Sequence, residues 1–255
     1  MNFLNENEKK ITLIPPPELV QYVGGHFEEV GKEFMQYFIE IGNLKSNETV
    51  LDVGCGIGRM AVPLMNYLSN DGNYYGFDLF NKGITWCKNN ISTRRNNFHF
   101  EHVDIYNQFY NPDGKEDASQ YKFPYEDESF DFIFLTSVFT HLLPKELEHY
   151  VREIARVLKK DGRCFITFFL INPESSYYLN AGLSPLGFYH QIDNCYVLNK
   201  DIPNFAVAYL EEDIRTLLNK YGLEMQTPPH YGSWCGRTEH TSYQDIILTQ
   251  KISER

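Results

Sequence analysis

The sequence contains no run approaching the roughly 18 consecutive apolar residues that a membrane-spanning helix needs. Cysteine is scarce, with five residues (Cys55, Cys87, Cys164, Cys195, Cys235). The count is odd, the spacing wide, and no Cys-x-x-Cys pair occurs, which argues against a disulfide framework and a cysteine-based zinc site. No His, Cys and carboxylate set has metal-ligand spacing. No long basic run occurs either: Lys plus Arg number 23 against 34 Asp plus Glu, a net charge of −11. That balance disfavours nucleic acid and anionic membrane, because phosphate contacts need clustered Lys and Arg. Met1 to Lys10 is polar without an apolar signal core, so the expectation is a cytoplasmic protein. There is no internal repeat. What is present is enough apolar material for a core: 42% of the 255 residues are hydrophobic and 22% charged. The 18 Tyr and 19 Phe suit either an aromatic-lined pocket or a Phe-rich core.

Along the chain, Ile14-Pro15-Pro16-Pro17 reads as a rigid, extended lead-in. Val30, Phe34, Phe38 and Ile41 mark an amphipathic helix, which Gly42 and Asn43 are placed to end. Strands and helices then alternate. Strands are expected at Thr49–Val53, Tyr74–Phe77, Phe98–Val103, Phe130–Leu135 and Arg163–Leu170. Helices are expected around Met60–Leu68, Ile84–Ile91 and Leu147–Leu158. This rhythm predicts a mostly parallel sheet with helices on both faces. Two segments break it, Asn107–Glu128 and Asn172–Phe205. Both are rich in turn residues and read as long loops of the kind that form lids or binding surfaces. A helix through Leu210, Ile214, Leu217 and Leu218, a strand at Leu223–Gln226 and a strand at Tyr243–Leu248 close the chain.

The chemistry concentrates at strand ends. Asp52-Val53-Gly54-Cys55-Gly56-Ile57-Gly58 lies where the first strand turns toward a helix. Glycines there permit a tight turn and close approach of a ligand. The dinucleotide fingerprint is G-x-G-x-x-G with a phosphate on the helix N-terminus. Here the third glycine comes one residue early, and the Asp52 carboxylate would repel a pyrophosphate while suiting an amino group. Asp78 ends the second strand and could accept both hydroxyls of a ribose. Asp104 ends the third and could accept from an adenine amino group while Ile105 packs on the ring. Singly, each acid reads as a helix cap or turn residue. Together, on successive strand tips, they read as one nucleoside site.

These residues resemble the class I S-adenosylmethionine-dependent methyltransferases. Val50-Leu51-Asp52-Val53-Gly54-Cys55-Gly56-Ile57-Gly58 is similar to that family's first motif. Phe123-Pro124-Tyr125-Glu126-Asp127-Glu128-Ser129-Phe130-Asp131 resembles its approach to strand four, and Leu135 to Leu142 the strand-four end of members acting on small molecules. Ala155 to Gly162 resembles its lead into strand five. The resemblance implies one Rossmann-like α/β domain over 1–255: a helical lead-in (1–45), a cofactor-binding core (46–171), an inserted lid (172–209) and a C-terminal helix with antiparallel strands (210–255). It implies a seven-stranded sheet ordered 3-2-1-4-5-7-6 with the last-but-one position antiparallel. It further implies S-adenosylmethionine as cofactor, held by Asp52, Gly54, Cys55, Gly56, Arg59, Asp78, Leu79, Asp104, Ile105, Thr136 and Ser137. The insertion matches no motif of the family.

The expected activity is methyl transfer to a small-molecule or sugar-containing acceptor, at oxygen. A hydroxyl acceptor benefits from a base whose pKa lies near neutrality, which points to histidine. His141, six residues past Leu135, is the first candidate, with the alternative that it braces the next helix. His190, in the insertion, is the second, with a surface role as its alternative. Arg59 could reach a carboxylate or lie solvated in the first helical turn. Phe27 could close over the cofactor, Phe34 and Tyr37 read as core, and His230–Arg237 as a packed hairpin tip or a substrate contact. Two other functions remain: a nicotinamide- or flavin-dependent oxidoreductase, which Asp52 and the glycine spacing oppose, and a non-catalytic cofactor-binding module.

Overall fold

A computed structural model describes residues 11–24 and 26–252. The readings of Met1–Lys10 and of Gly25 fall outside those residues. The strands are β1 (Thr49–Val53), β2 (Asn73–Asp78), β3 (Phe98–His102), β4 (Phe130–Leu135), β5 (Leu158–Phe168), β6 (Leu170–Ile171), β7 (His190–Ile192), β8 (Cys195–Val197), β9 (Val207–Leu210), β10 (Leu223–Met225) and β11 (Asp245–Lys251). The helices are α1 (Pro17–Tyr22), α2 (Phe27–Glu40), α3 (Ala61–Leu64), α4 (Asn81–Cys87), α5 (Pro144–Val157), α6 (Pro173–Asn180) and α7 (Glu211–Lys220).

Seven strands form one sheet in the order β3-β2-β1-β4-β5-β11-β10. The pairs β1–β2, β2–β3, β1–β4 and β4–β5 are parallel, and β11 runs antiparallel to both β5 and β10. This is the order the family resemblance implies. Alternation along each strand builds a core on each face. On β1 and β4, Leu51, Val53, Ile133 and Leu135 pack under Leu147, Val151 and Ile154 of α5 and Ile214 and Leu218 of α7. Val50, Phe132 and Phe134 face the other way, onto Phe34 and Phe38 of α2 and Ile84 of α4. Phe38 lies 4.3 Å from Phe134 and 5.1 Å from Phe165, centroid to centroid. Burying such a ring contributes about 1.5–3 kcal/mol, so this cluster anchors α2 to the sheet. Phe27 is 5% exposed within the same cluster. It is core, and does not close over a cofactor.

The helix after β1 is a single turn. Pro63 falls in its first turn, where its missing N–H is harmless, and the chain on either side is irregular. The triple-proline lead-in gives way to α1, with Pro17 at its first position. Segment 172–205, expected as loop, is ordered structure. Asn172 caps α6 by accepting from the Ser175 N–H at 2.9 Å, and the Ser175 hydroxyl accepts from the Asn172 N–H in return. A hairpin, β7–β8, then pairs with β9 to make a second sheet, β6-β9-β8-β7. It has a small core of its own around Phe169, Ile171, Phe188, Ala208 and Trp234. Short strands separated by Gly and Pro carry no visible period, which hid this sheet from the sequence.

Candidate active site

The carboxyl ends of β1, β2 and β4 open into one cavity of about 430 Å³, within the range of ligand sites. The position follows from the topology. Between β1 and β4 the strand order reverses, so the connections leave on opposite faces and a crevice remains.

The glycine turn forms the floor. Gly54 and Gly56 both have left-handed backbone, at φ 79° and 56°. A Cβ on Gly54 would come within 2.5 Å of Val138 Cγ2, so a side chain there would close the crevice. Asp52 lies behind the turn, 1% exposed, on the cavity wall. Its Oδ2 accepts from the Tyr74 hydroxyl at 2.6 Å, and its Oδ1 has no partner. Burial pushes its pKa up to about 8, opposed by the Tyr74 hydrogen bond and reinforced by the nearby Asp78 charge. Asp78 accepts from the Gly56 N–H on Oδ2 and the Phe80 N–H on Oδ1, each at 2.7 Å. Burial raises its pKa while these backbone donors hold it down.

The far wall comes from the end of β4. Ser137 has φ 61°, an uncommon conformation for a side-chain-bearing residue and one found at functional sites. It is held there by its N–H on Thr167 Oγ1 at 2.8 Å and by Gln244 Nε2 donating to its hydroxyl at 3.0 Å. His141 follows in a short 3₁₀ turn. Its Nδ1 lies 3.0 Å from the Asn204 carbonyl, which can only accept, so the proton sits on Nδ1. Nε2 is then an acceptor, 3.3 Å from the Tyr110 hydroxyl. Burial lowers the His141 pKa below its ordinary value, opposed by the backbone contacts with Asn204 and Phe205, so the ring is neutral at pH 7. Burial raises that of Tyr110.

A roof lies across the crevice. Tyr22 of α1 stacks on Phe80 at 3.7 Å between centroids, and Gln21 to Gly24 line the cavity. The Arg59 guanidinium donates to the Val23 carbonyl. Arg59 thus ties the roof to the floor with one nitrogen of its guanidinium, and it lines the cavity half-buried.

All the cofactor-binding residues expected from sequence line this one cavity except Asp104. Beyond β3, Val103 and Ile105 turn inward and Asp104 alternates outward, 3.5 Å from Asn111 Nδ2. Of the two histidines, His141 is on the wall and His190 is not. His190 lies on β7, exposed, beside a second hollow. Segment His230–Arg237 is packed. Trp234 is fully buried and donates to Asp245 Oδ2 at 2.6 Å, while Arg237 is 6% exposed and pairs with Glu174 at 2.9 Å. Sequence reading missed Tyr22, Tyr74, Tyr110 and Asn204. Only Tyr74 had a signal, since it shares the Asp52 face of neighbouring strands; Tyr22 ends the short α1, Asn204 lies in a single 3₁₀ turn and Tyr110 in a turn, none with a readable period. Among the described residues no cluster of His, Cys, Asp and Glu could hold a metal ion, and no helix is long and apolar enough to cross a membrane.

The doubly wound sheet, the glycine turn and the acids at its strand tips define a nucleoside-binding α/β domain of the methyltransferase type. Residues 51–166 match the family model described as a methyltransferase domain, and the seven-stranded sheet built around them has the class I, S-adenosylmethionine-dependent methyltransferase fold. The chain is 27% identical over 115 residues to the tRNA N(3)-cytidine methyltransferase METTL2 of Gallus gallus, covering 44% of this chain and 28% of that protein. It is 26% identical over 131 residues to the 27-O-demethylrifamycin SV methyltransferase of Amycolatopsis mediterranei, covering 51% of this chain and 42% of that one. The aligned part thus spans less than half of either relative. A solved S-adenosylmethionine-dependent methyltransferase from Methanosarcina mazei superposes with TM-score 0.57 and 20% identity, over 84% of this chain and 97% of the other. The cavity fits the cofactor of this class: a buried, unpartnered carboxylate oxygen awaits a donor, and the glycine turn leaves room for a ligand against the backbone.

Proposed function

We propose that the protein transfers a methyl group from S-adenosylmethionine to a hydroxyl of a small-molecule acceptor, with His141 as the base. Bound S-adenosylmethionine supplies an electrophilic methyl carbon on a sulfonium. In this reading Asp52 Oδ1 takes the ammonium of its amino-acid part, Asp78 the ribose hydroxyls, and Ile105 packs on the base. Gly54, Cys55, Gly56, Leu79, Thr136 and Ser137 shape the wall, and α1 excludes water from above. The single observation that carries the acceptor chemistry is the His141 tautomer. With Nδ1–H fixed on the Asn204 carbonyl, Nε2 presents its lone pair beside the cavity. An acceptor hydroxyl that displaced the Tyr110 hydroxyl from Nε2 would give its proton to that nitrogen; the bound cofactor would supply the methyl group to its oxygen, the sulfur keeping the C–S bonding pair and leaving as S-adenosylhomocysteine. The Asn204 carbonyl then steadies the imidazolium.

Methylation at oxygen of a small molecule agrees with the name of the rifamycin relative. The tRNA relative favours a second reading, with nucleic acid as acceptor; the net charge of −11 opposes it. The five cysteines, all unpaired, support a cytoplasmic setting. Tritiated cofactor incubated with the protein and a cell extract separates the readings. Label recovered with solvent-extractable small molecules supports the proposal; label recovered with RNA contradicts it. His141→Gln should lower methyl transfer by about 10²-fold or more, with cofactor affinity unchanged as read by calorimetry.

A further inference from the structure

A second hollow of about 480 Å³ lies beside the cavity, walled by Phe109, Leu198, Ile202 and Phe205 and rimmed by His190, Asn199, Lys200 and Asp201. Phe109 lines both spaces. The Phe109 and Phe205 rings are 43% and 40% exposed and meet edge to face, 5.1 Å apart. The pair presents aromatic surface to whatever enters the hollow.

The sequence neighbours of these two rings hold His141. Tyr110 follows Phe109, and its hydroxyl lies 3.3 Å from Nε2. Asn204 precedes Phe205, and its carbonyl lies 3.0 Å from Nδ1. Gln108 Nε2 donates to the Asp201 carbonyl at 3.2 Å, joining the two segments across the hollow. A ligand seated on Phe109 and Phe205 therefore presses on both segments that fix the base. The remaining chemistry is mixed. Lys200, Asp201 and Asn199 offer a cation, an anion and an amide on one rim. Among the described residues, neither Lys200 nor the Asp201 carboxylate takes part in an ion pair.

We propose that this hollow is an acceptor subsite that takes a glycosyl unit, placing another part of the same acceptor at His141. A sugar ring presents C–H faces to aromatic edges and faces, and hydroxyls that both donate and accept. A rim carrying donors and acceptors of both charges matches those hydroxyls, whereas a flat, apolar ring would leave the rim unpaired. The proposal rests on the reading of the inner cavity as the methyl-transfer site.

The test is saturation-transfer NMR on the full chain with saturating S-adenosylhomocysteine. The probes are the methyl glycosides of glucose, rhamnose and N-acetylglucosamine, with p-cresol as the flat-ring control. At least one glycoside should bind. Phe205→Ala and Asp201→Asn should each weaken its binding by about tenfold, with S-adenosylhomocysteine affinity unchanged. Asp201 is exposed, so its variant keeps the test valid if Phe205→Ala does not fold. Binding of p-cresol alone, of no glycoside, or of a glycoside indifferent to Asp201→Asn overturns the subsite while leaving the cofactor reading intact. No binding of S-adenosylhomocysteine to the unaltered chain overturns both.

Discussion

Asp52 is a carboxyl group folded into a place where it does not ionise easily. Its pKa is pushed up to about 8 from 3.8, mainly by burial. The folded state therefore binds the Asp52 proton more tightly than the unfolded state. Its contribution to stability is full below 3.8 and is lost as pH rises through about 8. At pH 7 the free protein carries that proton. An ammonium placed against Oδ1 favours the charged form and expels it. Titration with S-adenosylhomocysteine at pH 7, repeated in buffers of different ionisation enthalpy, should show release of about one proton. Asp52→Asn should remove the buffer dependence, and uptake of protons instead would refute the role. His141 titrates in the opposite sense. Burial lowers its pKa below the ordinary imidazole value, so methyl transfer at saturating cofactor should persist to more acid pH than a free imidazole base allows, and a rate lost already above the ordinary imidazole range would refute the role. At this scale the sequence was informative where side-chain type and strand position coincide, as at Asp52 and Asp78. It misjudged Asp104, where one step of alternation decides between wall and outside. It was silent on Tyr110, because a turn residue has no partner in sequence to reveal what its hydroxyl faces.

Among the elements, α1 covers the cavity, and the second sheet packs against the main one beside it. The roof is held by the Arg59 bond to Val23 and the Tyr22–Phe80 stack. A charged donor on a carbonyl contributes about 1.5–3 kcal/mol. Arg59→Ala should weaken S-adenosylhomocysteine binding by roughly tenfold or more, measured by calorimetry, and should loosen α1 to proteolysis. Unchanged affinity would mean that the roof plays no part in binding. The second sheet is joined to the main one through Asp245. That buried side chain accepts from Gly232 N–H at 2.7 Å, Leu170 N–H at 2.8 Å and Trp234 Nε1 at 2.6 Å. Trp234→Phe removes one donor from a buried acceptor and should cost about 1–3 kcal/mol of stability, read as a lower urea midpoint with cofactor affinity intact. Long periodic elements such as α2 and α5 were legible in sequence. The hairpin β7–β8 was not, since strands of three residues are fixed by pairing with β9 rather than by their own pattern.

For the whole molecule, the sequence specifies a mostly parallel sheet because apolar strands alternate with amphipathic helices, while the strand order was legible only through the family resemblance. That order puts β1 and β4 side by side with their connections diverging, which is why a cavity exists and why Asp52, Asp78 and Ser137 converge there. The surroundings of His141 were less legible: they come from 106–110 and 198–205, two irregular segments brought together only by the fold. The central claim is that the crevice holds a sulfonium nucleoside by its acids. The most direct measurement is calorimetric titration of the unaltered protein and of Asp78→Ala with S-adenosylhomocysteine, and of the unaltered protein with NAD⁺. The account predicts saturable binding of S-adenosylhomocysteine, a loss of about 10²-fold in Asp78→Ala, and no heat with NAD⁺. Equal binding by both proteins, or binding of NAD⁺ in its place, would contradict it.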